Sequence, residues 1–417
     1  MPAMDVARAP LGEINPFDPA VLADPWLYNR RVRETAPVYR HPQLGITLIS
    51  SYRAVVEVVR NWEAFSNRFG QFLGAEPPDE VKAVAREGYP PVDTMLTADP
   101  PEQKRFRGLV NKAFSARRID ALEPRIREIA RELADDVAAR GRAELLAEFA
   151  QPLPLTVIAE QLGAPREDLR LFRRWTDGFV AQLSGVADRA GQVEAAKAIV
   201  EFQKYFAARL EERRADPRED ILSDIVHARI EGERPLDVPE MLSILQQLLV
   251  AGNETTASAI VEGVWLLLRN PEQLALVRRE PERVPDLVEE VLRMATPTAN
   301  MWRVCRKTTA VEGVEIPAGS LCMLRFAAAN RDPARFPDPD RFDVTRADAG
   351  EHLAFGLGIH HCVGASLARK ELRVAFETLL ERFEELRLAP DAPAPAHKPN
   401  VLLWGLDALP LEVRARR

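Results

Sequence analysis

Cysteine is scarce in this chain. Only Cys305, Cys322 and Cys362 occur in 417 residues. An odd, sparse set excludes a disulfide framework and makes a reducing cytoplasm the natural setting. Long apolar runs are also missing. The most apolar stretch, 244–268, is broken by Gln246, Gln247, Asn253, Glu254 and Glu262. A membrane-spanning helix is therefore not expected. Residues 1–20 carry Pro2, Pro10, Pro16 and Pro19 and lack a basic segment leading into an apolar core, which excludes a signal peptide. Positive charge is not in excess: 56 Lys and Arg stand against 63 Asp and Glu. That balance argues against nucleic acid as the main partner. No internal repeat or low-complexity linker divides the sequence.

What is present is a helical pattern with enough apolar residues, 46%, for a large core. Apolar spacing of three and four predicts helices at 52–60, 101–114, 119–140, 153–162, 168–183, 190–216, 219–231, 238–269, 271–279 and 284–294. Strand alternation predicts a hairpin from 36–40 and 45–50, and short strands within 301–326. Residues 72–95 read as a long irregular loop, 330–350 as a Pro/Asp/Arg meander, and 402–413 as a terminal hairpin. The economical architecture is mainly α with a small β region: a segment at 1–24 and one domain at 25–417.

The most informative stretch is Phe355-Gly356-Leu357-Gly358-Ile359-His360-His361-Cys362-Val363-Gly364. It sets one cysteine at the end of a glycine-punctuated loop, just before a periodic run of Ala365, Ala368, Leu372, Ala375, Leu379, Phe383 and Leu386. A cysteine at a helix N-terminus faces backbone N–H groups and the positive end of the helix dipole, and both favour a thiolate. The glycines let the backbone turn sharply and let a flat partner approach. Such a thiolate can be an axial haem ligand. Two other readings stand beside it. A lone cysteine can be a buried small hydrophobe. His360, His361 and Cys362 could form part of a zinc site, although no Cys-x-x-Cys pair completes one.

These ten positions resemble the haem-binding signature of the cytochrome P450 superfamily, and the resemblance extends from about Pro25 to Val413. It implies a P450-type fold of the soluble bacterial kind, with haem b held between the long central helix and the cysteine loop. Cys362 would be the axial thiolate. Phe355, Gly356 and Gly364 would shape its loop, and Ala251 would border the haem. His360, Arg303 and Arg107 would contact the propionates, with Gln103 standing where the family commonly has histidine.

Ala251-Gly252-Asn253-Glu254-Thr255-Thr256 lies inside the predicted helix 238–269. A glycine followed by two β-branched threonines is poor helix chemistry, so a local opening is expected there. The motif resembles the family's oxygen-activation element. By that analogy the Thr255 hydroxyl and the Glu254 carboxylate serve proton delivery. Alone, the same residues read as a solvated glutamate and two helix-face threonines. Glu290 and Arg293 share a helix face at i, i+3, a spacing that recurs on many surface helices. Their position resembles the family's structural ion pair, with Arg341 as its third member.

The resemblance also implies substrate contacts at Phe72, Leu73, Leu96, Phe179, Leu183, Leu248, Ala251, Thr298, Met301 and Leu402. These are mostly apolar, which suits a small apolar organic substrate. Each alone reads more readily as core than as a contact. No convincing basic anchor for a carboxylate substrate stands out, although Arg68 or Asn300 could serve. No flavin or iron–sulfur motif is present, so electrons must come from another protein. Lys104, Arg105, Lys112, Arg117, Arg118, Arg369, Lys370 and Arg373 form a basic set that suits an acidic ferredoxin, or else a solvated surface. The leading reading is an O₂-dependent monooxygenase, a cytoplasmic monomer. The rivals are a peroxide-driven haem-thiolate enzyme and a haem sensor or carrier without turnover.

Overall fold

The computed structural model describes residues 5–70, 76–111, 113–184, 188–229 and 232–416, without the side chains of 183 and 184. Its backbone contacts divide into two units. Unit 1 comprises 1–67, 123–152 and 255–417; unit 2 comprises 68–122 and 153–254. The division falls inside continuous helices, Ala116–Arg140 and Val238–Arg269 among them.

Unit 1 holds all the sheets. Strands Val38–Arg40 (β1), Thr47–Ile49 (β2), Phe65–Ser66 (β3), Met301–Cys305 (β5) and Leu321–Leu324 (β8) form one sheet in the order β1-β2-β8-β5-β3. β2 runs parallel to β8, and the other pairs are antiparallel. The expected first hairpin is therefore present. Arg142–Glu144 (β4), Phe383–Leu388 (β9) and Pro410–Ala415 (β10) form a second sheet in the order β4-β10-β9. Thr309–Val311 (β6) and Val314–Ile316 (β7) pair as a hairpin.

Helix Tyr52–Arg60 begins where the Ser51 side chain accepts the Ala54 N–H at 3.1 Å, a side-chain N-cap. It buries Ala54, Val55, Val58 and Val59 against the first sheet. The long helix Val238–Arg269 is apolar on most of its faces, as a core helix must be. The cysteine helix Ala365–Arg382 packs on it closely: a Cβ at Gly263 would lie 2.4 Å from the Phe376 ring. Unit 2 is helical. Leu169–Ser184 and Arg189–Ala215 lie together around Phe172, Trp175, Phe179, Phe202 and Phe206, all essentially buried.

Three expectations are corrected. The apolar stripe of the cysteine helix was expected to include Phe383 and Leu386, but the helix stops at Arg382 and both residues lie in β9. Pairing with β10 overrides the helical pattern there. For the same reason 402–413 is not a hairpin: Pro410–Ala415 is the middle strand between β4 and β9. The loop 72–95 contains a helix, Asp79–Ala85, whose first turn is acidic and follows Pro78. Acidic residues at that end are favoured by the helix dipole.

Candidate active site

The cysteine loop is drawn tight by its own backbone. Cys362 N–H donates to the Phe355 carbonyl at 2.9 Å, and His361 N–H to the Gly358 carbonyl at 3.1 Å. Gly356 and Gly358 adopt φ of +62° and +69°, where L side chains are strained. A Cβ on Gly358 would also stand 3.2 Å from the Val59 carbonyl, so the loop is pressed onto the end of helix Tyr52–Arg60. The result presents Cys362, half-buried, directly before the helix that starts at Ala365. The other two thiols are different. Cys305 and Cys322 are fully buried in β5 and β8. Burial pushes the Cys305 thiol up and the Cys322 thiol up to about 12. Neither is suited to act as a thiolate. Among the described residues no cluster of three or more His, Cys, Asp or Glu could hold a metal ion, so His360, His361 and Cys362 do not form a zinc cage.

The loop is anchored from behind. The Arg369 guanidinium lies 4.6 Å from the Phe355 ring centroid and grips Glu289 at 2.6 and 2.9 Å. His352 adds a contact to Glu289 at 3.3 Å. Burial alone would raise Glu289, but the hydrogen bonds from Arg369 and His352 outweigh it and hold the carboxyl at about 2. Phe355 thus keys the loop to helix Val284–Ala295.

That helix carries Glu290 and Arg293, both with side chains 0% exposed. They meet through two hydrogen bonds of 2.7 Å. Arg293 also donates to the carbonyls of Asn330, Pro339 and Arg341, which fixes the meander. Arg341 was expected as the third member of the pair. Its carbonyl takes part, but its own side chain is 65% exposed and turns to Asp343. The second cation beside Glu290 is Arg346, buried and 3.6 Å away, held by the carbonyls of Pro337 and Asp338. Five residues further along the meander, the chain has curled back under the pair.

The long helix is continuous through Ala251–Thr256, so the expected opening is not present. Ala251 and Gly252 are exposed on this mostly buried helix, and a Cβ on Gly252 would meet nothing within 4 Å, so the glycine is not required by packing. Glu254 and Thr255 are half-buried. Thr256 is buried at 3% and makes a hydrogen bond with Glu371 of the cysteine helix. Sequence reasoning missed Glu371. Burial pushes its carboxyl up to about 8, only partly offset by Thr256, so it is a neutral acid at pH 7. The signal was available: Glu371 lies three residues after Ala368 and four before Ala375, a lone acid inside the apolar stripe.

In unit 1, Arg303 is 4% exposed on β5 and donates to the Trp302 carbonyl. His360 closes a short 3₁₀ turn just before the cysteine. Thr298 and Leu402 lie on paired segments, because Thr298 bridges Leu403 and Asn300 N–H donates to the Leu402 carbonyl; Met301 begins β5 and packs against the first-sheet core. In unit 2, Gln103 is buried and Arg107 half-buried, one turn apart on helix Glu102–Val110. Leu96 is 40% exposed, and its N–H is held by Gln247. Leu248 is buried. Phe179 is not a pocket residue: it is 1% exposed and stacks edge-on with Phe202 in the aromatic core. Arg68 is engaged by Asp93, Asp99 and Glu102, which removes it as a carboxylate anchor. Phe72, Leu73, Lys112 and the Leu183 side chain lie outside the described residues.

The comparisons with known proteins agree with this geometry. The family model described as Cytochrome P450 matches residues 191–405. The chain is 37% identical over 390 residues to 6-deoxyerythronolide B hydroxylase of Saccharopolyspora erythraea, covering 92% of this chain and 94% of the relative. It is 35% identical to the steroid C26-monooxygenase of Mycobacterium tuberculosis, over 92% of both chains. The chain belongs to the cytochrome P450 family. The solved structure of cytochrome P450 CYP109Q5 from Chondromyces apiculatus superposes with a TM-score of 0.86 at 37% identity, over 98% of this chain and all of that one. Cytochromes P450 of this kind are haem-thiolate monooxygenases that bind protohaem through a cysteine thiolate, and this chain is one of them. No helix among the described residues is long and apolar enough to cross a membrane.

The residues present fit that group. One half-buried cysteine follows a loop whose glycines leave its flank open; a Cβ at Gly364 would stand 4.0 Å from Cys362 Sγ. A buried arginine, Arg303, is suited to a buried carboxylate. The basic set expected to face a redox partner is mostly engaged within the chain. Arg105 pairs with Glu240 at 2.8 Å and Arg118 with Asp224; Lys370 and Arg373 pair with Glu123, and Arg369 with Glu289. Lys104 and Arg117 are exposed.

Proposed function

We propose that this P450 uses O₂ and externally supplied electrons to oxygenate a small apolar organic molecule, with Cys362 as the thiolate ligand of its haem. The observation that carries the reading is the contrast among the three thiols: two are sealed in a sheet, and one is half-buried at a helix start behind open glycines. When bound, the haem would supply oxygen activation, and the Cys362 thiolate would enrich it in electron density.

The chain's own residues supply position and protons. In unit 1, Arg303 and His360 would be partners for the carboxylates of the haem, and in unit 2 Arg107, with Gln103 as a neutral donor, is a candidate for the same role. Glu254 and Thr255 form an acid–alcohol relay on the long helix: the carboxyl takes a proton from solvent, and the hydroxyl passes it on from a fixed position. Glu371 holds Thr256, which pins the rotation of this turn. Thr298, Met301 and Leu402 give an apolar wall. Relatives named as acting on 6-deoxyerythronolide B and on a steroid support a substrate of that bulk and polarity. The electron donor is a separate protein. Since most of the basic set is internally paired, an acidic ferredoxin would find only a small contact patch, Lys104 and Arg117 among its members. We further infer that residues 25–417 act as one haem-thiolate domain, working as a monomer in the cytoplasm.

The test is turnover with a ferredoxin and reductase. Binding is first found by optical titration of a panel of apolar compounds. Product that requires reductant and O₂ together supports the reading. Product formed with peroxide alone, and not with the redox chain, favours a peroxide-driven enzyme. Ligand binding without any product favours a sensor or carrier.

A further inference from the structure

Unit 1 contains a small cavity bounded by the segment that leads into helix Trp26–Thr35, strand β8 and the C-terminal loop, lined in part by Phe17, Pro25, Asn300, Arg325, Asn400 and Trp404. At about 20 Å³ it has room for one guest the size of a water molecule. No acidic residue lines it.

Arg325 is 3% exposed. Its side chain has one hydrogen bond, from Nη2 to Asn29 Oδ1, and its guanidinium lies 5.1 Å from the Tyr28 ring centroid. Nε has no hydrogen-bond partner among the described residues, nor does the buried Tyr28 hydroxyl. Burial pushes Arg325 down to about 10 and Tyr28 up to about 12, so near pH 7 the arginine is charged and the tyrosine neutral. The contrast with Arg331 is informative. It is half-buried and pushed down to about 10 in the same way, but it has Asp340 at 3.1 Å. Arg325 has no carboxylate within 4 Å among the described residues. A buried, uncompensated guanidinium is strongly destabilising unless something neutralises it.

The cavity offers a second donor. Asn400 Oδ1 accepts the N–H groups of Leu402 and Leu403, both at 2.9 Å. The amide oxygen is thereby committed, and the NH₂ group is what remains. Asn300 Nδ2 donates to the Val401 carbonyl at 2.6 Å and holds the loop against β5. A cation with a neighbouring amide donor, no acid and space for one guest is a lining that favours an anion.

We propose that this cavity binds one small monovalent anion of chloride size, held by the Arg325 guanidinium and the Asn400 amide. The anion neutralises the buried charge and ties the C-terminal loop to helix Trp26–Thr35. This reading does not depend on the oxidation chemistry.

The test uses the haem-loaded full chain. The apparent unfolding midpoint is followed against sodium chloride, with ionic strength held constant by sodium gluconate. It should rise along a saturating curve, by about 2 °C near tenfold the dissociation constant. Bromide should act alike. Arg325→Leu should abolish the dependence. Crystals soaked in bromide should show an anomalous peak against the Arg325 guanidinium. Equal midpoints in chloride and gluconate would overturn the proposal. So would a chloride effect that survives Arg325→Leu, or bromide peaks confined to the surface. If Arg325→Leu does not fold, the bromide map of the wild type decides alone.

Discussion

Two glutamates in unit 1, Glu290 and Glu371, are equally buried and are handled in opposite ways. Glu290 is 0% exposed and meets a bidentate guanidinium, a second arginine and the Asp343 N–H. Glu371 is 2% exposed, and the polar partner it has among the described residues is a hydroxyl, that of Thr256. The first is an ion locked in a structural cluster that fixes the meander. The second is an acid kept protonated by an apolar wall, in contact with the helix that carries the proposed proton relay. Burial does not set what a carboxyl does; its partners do.

The comparison breaks first, and hardest, at the ion cluster. Glu290→Ala or Arg293→Ala removes one side of a buried pair and leaves the other uncompensated, at a cost of about 3–5 kcal/mol. That rivals a whole domain's stability margin. Little haem-loaded protein should be recovered, measured as haem per polypeptide; normal loading would show the pair is decorative.

Next in size is the relay. Thr255→Ala should uncouple the enzyme: reductant is still consumed, product falls, and hydrogen peroxide rises. A positioned proton-transfer group contributes roughly 10²–10⁴-fold. Thr256, about 100° away on the helix, separates the two roles. Thr256→Ala should lose about 1–3 kcal/mol of stability by stripping Glu371 of its partner, with coupling retained. Product and peroxide per reductant consumed, together with denaturant midpoints, read both variants. A swap of the two phenotypes would reverse the assignment.

Glu371 gives a pH signature that the charged cluster cannot mimic. The unfolded chain releases this proton near 4.5, the folded chain only near 8. Between those values the folded state binds more protons, so stability falls as pH rises. The contribution is complete below 4.5 and lost through about 8. The slope is on the order of 1 kcal/mol per pH unit. Glu371→Gln keeps the neutral shape and should remove that part of the slope. Parallel denaturant curves for the two proteins would mean the carboxyl is ionised in the fold.

The smallest effect is expected at the surface. Reversing charge at Lys104 and Arg117 should slow reduction by an acidic ferredoxin a fewfold, and the wild-type rate should fall with salt. Lys370 and Arg373 already pair with Glu123, so reversing them should cost stability more than electron transfer. Equal kinetic effects from both pairs would show that the paired cations still present a docking face.

Much of this was legible in the sequence, for identifiable reasons. Helix Tyr52–Arg60 and the long helix Val238–Arg269 lie where apolar spacing put them, because their buried faces dictate the pattern. The cysteine loop was legible because glycine at φ of +62° and +69° leaves few alternatives. Long-range partners were not legible. Phe383 and Leu386 follow helical spacing yet join a strand, since their β10 partners Ala415 and Val413 arrive from far along the chain. Arg346 rather than Arg341 faces Glu290 because the meander's curl is set by backbone carbonyls, which carry no sequence signature. Phe179 looked like any apolar pocket residue, and only the aromatic neighbours packed around it show that it is core.

The central claim is that Cys362, alone of three thiols, ligates the haem. The reduced carbonyl spectrum of the wild type, Cys362→His and the double variant Cys305→Ser/Cys322→Ser tests it most directly. The account predicts the strongly red-shifted Soret band of a thiolate ligand in the wild type and the double variant, and its loss in Cys362→His. Retention of that band in Cys362→His, or its loss in the double variant with haem still bound, would contradict it.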